Sequence, residues 1–142
     1  MSFEAYLACF EDGQEGYFPT AIVDEAFAPF ISNREQSLRT VTYYDAPSRL
    51  DQTDLYLNLD PEDLSQCSGF TLARPSANPL LFGALMKILT VTNSTVYCAG
   101  DCPPLVGRPD TIAHLNSDMV ETLGDPVVVS SGGEIQEWLE RS

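Results

Sequence analysis

The chain has 142 residues, 44% of them apolar and 20% charged, which is ample material for one core at the commonest domain size. Twenty-one acidic side chains face seven Lys and Arg, a net charge of −14. A surface so negative repels phosphate and therefore disfavours nucleic acid and anionic membrane surfaces as ligands while favouring basic proteins, although acidity also serves solubility alone. No apolar run approaches the roughly 20 residues of a membrane span. The start Met1-Ser2-Phe3-Glu4 lacks the basic residues of an export signal, so a cytoplasmic location with reduced cysteines is expected.

In chain order, residues 3 to 10 read as a strand with Phe3, Ala5, Leu7 and Cys9 on one face. The segment Glu11-Asp12-Gly13-Gln14-Glu15-Gly16 reads as an acidic turn. A helix is expected from about Thr20 to Ala28, with Thr20 as its cap and Pro29 as its stop. Residues 32 to 37 read as a polar stretch, and Leu38 to Tyr44 as a strand. The clearest strand is Asp54 to Asp60, where Leu55, Leu57 and Leu59 alternate with Tyr56 and Asn58. Residues 61 to 66 read as an acidic connection and Gly69 to Ala73 as a further strand. Asn78-Pro79 supplies a cap and a first-turn proline for a helix whose stripe is Leu81, Leu85, Ile88 and Leu89.

Further on, Thr95 to Ala99 reads as a short buried strand, while the Gly/Pro-rich stretch from Gly100 to Pro109 has no assignable pattern. A short helix over Ser117 to Leu123 ends at Gly124, Val127 to Val129 reads as a buried strand, and Ser131 with Glu134 opens a last helix through a capping box. These elements predict one α+β domain with a mixed, mainly antiparallel sheet of about six strands and three to four helices.

No arrangement of residues makes a convincing catalytic set, and a non-enzymatic chain with no cofactor is expected. Cys98 and Cys102 with His114 are the best candidates for a metal or thiol site, but the spacing fits neither a thioredoxin-type pair nor a complete zinc set. Cys9 and Cys67 lie in strand-like runs and read as small core residues. The glycines at Ser130-Ser131-Gly132-Gly133 are too few for a phosphate loop, and capping explains the serine better. An oligomeric scaffold or adaptor is a further alternative.

The grouping of the acids carries more information. Residues 1 to 25 hold six acids and no base, residues 50 to 66 five and none, and residues 110 to 142 seven against Arg141 alone. If the turn at 11 to 16 lies near the connection at 60 to 63, Glu11, Asp12, Glu15, Asp54, Asp60, Glu62 and Asp63 form a negative surface that speeds encounter with a basic protein. Tyr17 and Tyr56 are the aromatic anchors expected within it, with Tyr43 and Tyr44 as further candidates.

Three stretches, Phe3 to Pro19, Leu85 to Gly100 and Asp118 to Ile135, make the chain resemble small acidic uncharacterised bacterial proteins, some of which are thought to be toxin-immunity proteins. The resemblance implies a cytoplasmic inhibitor whose partner is a basic toxin domain. It carries no catalytic residues over to this chain.

Overall fold

A computed structural model describes residues 4–28, 33–36, 41–44, 54–73, 79–98 and 102–141, with the backbone alone for 33–36, 41–44 and 54. Strand β1 (Glu4–Glu11) turns into the short β2 (Gln14–Glu15), and β3 (Phe18–Pro19) leads into helix α1 (Thr20–Phe27). There follow β4 (Asn33–Gln36), β5 (Val41–Tyr44), β6 (Asp54–Asp60) and the long β7 (Asp63–Ala73). Helix α2 (Pro79–Val91), β8 (Ser94–Cys98), β9 (Leu105–Val106), a 3-10 helix (Pro109–His114), α3 (Ser117–Leu123), β10 (Val127–Val128) and α4 (Gly132–Glu140) complete the described elements.

The sheet runs β10-β9-β8-β1-β7-β6-β5-β4, with β2 on β1 and β3 on β7. Every described pairing is antiparallel except β9 with β10. The fold is therefore α+β with a mainly antiparallel open sheet, eight strands across the path where the sequence suggests about six.

One face of the sheet carries the core, because strand alternation aligns apolar residues across neighbours. Ala5 and Leu7 of β1 lie opposite Leu72 and Phe70 of β7, which in turn oppose Leu55 and Leu57 of β6. All six are at most 2% exposed, and burying each leucine contributes about 2 kcal/mol before entropic costs. The stripes of α1, α2 and α4 close over this face with Val23, Phe27, Leu85, Ile88, Ile135 and Leu139. Phe27 meets Phe70 edge to face at 5.9 Å. At Gly132 the start of α4 lies on the α2 backbone so closely that a Cβ would sit 2.7 Å from the Phe82 carbonyl carbon.

Several local expectations change. Thr20 is the first helical residue and buried, and the cap position belongs to Pro19, whose fixed φ suits the extended entry but which supplies no capping oxygen. The stretch at 63 to 66 continues β7, because a hairpin extends beyond the core on backbone pairing alone, and residues 33 to 36 form β4. The irregular loop contains β9, held between β8 and β10. Of the run expected as a buried strand, Val129, just past β10, is buried but Val128 is 43% exposed, since β10 is an edge with one covered side. The capping pattern at α4 holds, with Ser131 Oγ accepting from Glu134 N–H, while the Glu134 carboxylate accepts from Ser130 N–H and Oγ–H. The proposed end of the strand at Ala99 and the helix cap at Asn78 lie outside the described residues.

Candidate acidic interface at one end of the sheet

The turn between β1 and β2 has both central residues at positive φ, Asp12 at 51° and Gly13 at 83°. This is the Asp-Gly pattern that suits a two-residue hairpin, because its twist matches that of the strands. The turn is docked. Gly13 N–H donates to the His114 carbonyl at 2.9 Å, Asp12 N–H to His114 Nδ1 at 3.2 Å, and Asn116 Nδ2 to the Gly13 carbonyl at 2.9 Å. The Asp12 carboxylate remains outside, 87% exposed and 3.6 Å from Nδ1.

The turn between β6 and β7 is held by its own acids. Asp60 Oδ1 accepts from Glu62 N–H at 3.0 Å, and Asp63 Oδ1 accepts from Ser65 N–H and Oγ–H. Those two bonds hold the Asp63 carboxyl below the usual carboxylate range. Pro61, Glu62, Asp63 and Leu64 are all exposed.

Pairing of β3 with β7, Phe18 opposite Cys67 and Pro19 opposite Gln66, brings the two turns to the same end of the sheet. Tyr17 registers the result. Its hydroxyl donates to the Glu15 carboxylate, and that bond, followed by desolvation and the charges of Glu15, Asp60 and Glu62, pushes the phenol up to about 12. Residues 15, 17, 60 and 62, more than forty positions apart in sequence, thus share one electrostatic neighbourhood.

Glu11 is exposed and borders a cleft of about 290 Å³ that Tyr17 also lines, where Arg108 Nη2 donates to Asn93 Oδ1 at 2.6 Å. Two other members of the expected surface lie elsewhere. Asp54 begins β6 at its far end, about 20 Å from Asp60 by strand rise. Tyr56 is 41% exposed and alternates with the core leucines, so it stands on the face opposite the core rather than at the acidic end. The side chains of Tyr43 and Tyr44 lie outside the described residues.

All four cysteines are buried and none is in a disulfide. Burial pushes Cys67 up to about 11 against a smaller opposing effect of the Thr20 hydroxyl, and it also raises Cys9. Both are core thiols with little nucleophilic character. His114 Nδ1 is turned to the Asp12 amide, and among the described residues no three His, Cys, Asp or Glu side chains converge as metal ligands. Among those residues no helix is long and apolar enough to cross a membrane. Sequence reasoning missed Asn116, whose part in docking the turn depends on a contact 103 residues away.

No family model, curated protein or solved structure matches the chain.

Proposed function

We propose that the chain binds a basic protein through the acidic end of its sheet, most concretely as an inhibitor that neutralises a basic bacterial toxin domain. The observation that supports this reading is the gathering of two separate acidic turns around Tyr17. Glu15, Asp60, Glu62 and Asp63 supply a field that draws in a cationic partner, and Tyr17 and the exposed Leu64 supply area that can be desolvated once it arrives. A toxin whose own substrate is a polyanion presents the complementary charge. Covering that surface blocks the toxin without a cofactor or a chemical step.

The test is whether a basic protein encoded beside this one binds it, and at what rate; no binding to the neighbouring gene product overturns the reading. Raising ionic strength from about 10 mM to about 1 M shortens the screening length from about 30 Å to about 3 Å, and the association rate should fall steeply. Neutralising Glu62 and Asp63 together should lower the rate at low salt and leave dissociation almost unchanged. A rate indifferent to both treatments overturns the reading.

A further inference from the structure

The face of the sheet opposite the core is built differently. Among the described residues, helices α1, α2 and α4 pack on the core face; on this one Thr95 of β8 is fully buried, and α3, which lies at its β8 side, has no buried residue of its own. Register lines up Tyr97, Tyr6, Thr71 and Tyr56 as one row across β8, β1, β7 and β6. The adjacent row is Thr95, Ala8, Gly69 and Asn58, where side chains are small or absent in the middle. A ridge of rings therefore stands beside a trough. The rings of Tyr6 and Tyr97 stack at 5.3 Å with 29° between planes.

This pair is a shared wall between two hollows. The trough, about 200 Å³, is bordered by Ala8, Phe10, Glu15, Asn58 and Thr71. The second hollow, about 360 Å³, lies between the pair and α3 and is mostly apolar, with Met119 and Leu123 along it and Asp118 at its rim. Glu4 accepts a hydrogen bond from the Tyr6 hydroxyl at 2.9 Å and borders the same wall. Neither hollow has a lysine or arginine among its described lining residues.

We propose that this face docks an extended, arginine-bearing segment of the basic partner, with a guanidinium over the tyrosine pair and in reach of Glu15 or Glu4, and a neighbouring apolar side chain in the hollow beside α3. The proposal rests on the reading of the chain as a binder of a basic protein but assigns contact to an adjoining surface that shares Glu15 with the acidic end. Charge selects the occupant. A second copy would set Glu4, Glu15 and Asp118 against like charges, whereas a guanidinium both stacks on tyrosine and forks a carboxylate. Adjacent side chains of an extended segment point to opposite sides, so a segment running along the tyrosine pair sends an arginine to the trough side, against the rings and Glu15, and the next, apolar residue to the hollow beside α3.

The test is a nuclear magnetic resonance titration of the full chain with a synthetic peptide of alternating arginine and leucine, beside the same peptide with citrulline for arginine. The arginine peptide should shift the amides of Tyr6, Thr71, Tyr97 and Met119, and the citrulline peptide should bind more weakly. Tyr97→Ala and Met119→Lys should each weaken binding about tenfold, and Glu62→Gln about twofold at most. Met119 lies on a helix with no buried residue, so its variant keeps the test decisive if Tyr97→Ala fails to fold. Absence of binding, equal binding of the citrulline peptide, or indifference to Met119→Lys overturns the proposal. Shifts confined to residues 11–17 and 60–63 overturn it too while leaving the acidic end as the binding surface, so the two readings fail separately.

Discussion

The two acidic hairpin turns differ in what holds them. The turn at Asp12-Gly13 is fastened from outside, by a carbonyl and a ring nitrogen of His114 and by the amide of Asn116. The turn at Pro61-Glu62 is fastened from within, by Asp60 and Asp63 accepting from amides two residues on. Equal acidity therefore conceals unequal roles. In the first turn the backbone is committed to the fold and only the carboxylates face outward, while the second projects as an exposed tip.

The comparison breaks first at Asn116. Its Oδ1 caps α3 by accepting from Asp118 and Met119 N–H, while its Nδ2 holds Gly13. Asn116→Ala removes both functions and should cost about 2 kcal/mol in urea denaturation, the sum of a cap and a part-buried hydrogen bond. Next comes Gly13→Ala. A Cβ there meets nothing within 4 Å, so the expected loss of about 1 kcal/mol measures the left-handed backbone alone. A larger loss would mean that the docked turn shifts as a unit. The smallest effect, and the one that tests proximity of the two turns, is spectroscopic. Glu15→Gln should bring the near-ultraviolet titration of Tyr17 from about 12 back toward 10.0, and Glu62→Gln should move it less in the same direction. The sign follows from the neutral phenol being the favoured form: its contribution to stability is whole below pH 10.0 and is lost as pH rises through about 12.

Elements with strong local patterns were legible in the sequence. Leu55, Leu57 and Leu59 mark β6, the Leu81-to-Leu89 stripe marks α2, and Gly124 and Ser131 mark a helix end and a helix start. Some strands of two to four residues were not, since β3, β4 and β9 are too short to show a period and exist through pairing with distant chain, whereas β5 and β10 lie within stretches that read as strands. That limit reached the site as well. Tyr17 and the acids at 60 and 62 were identifiable as candidates, but their convergence depends on Phe18 and Pro19 pairing with Cys67 and Gln66, and a proline in a strand argues against such a pairing from sequence. The stacking of Tyr6 on Tyr97 is equally non-local, because it follows from the register of β1 on β8.

An open sheet has two ends, and each end exposes backbone to which a foreign strand can add. Here one terminus is β10, two residues long and preceded by Pro126, and the other is β4, whose sequence is Asn-Arg-Glu-Gln. The first is too brief and the second too polar to template a long apolar ladder, so both work against edge-to-edge aggregation. Neither edge invites a second copy of the chain to add a strand, so protection against polymerisation at high concentration is built into the two ends of the sheet.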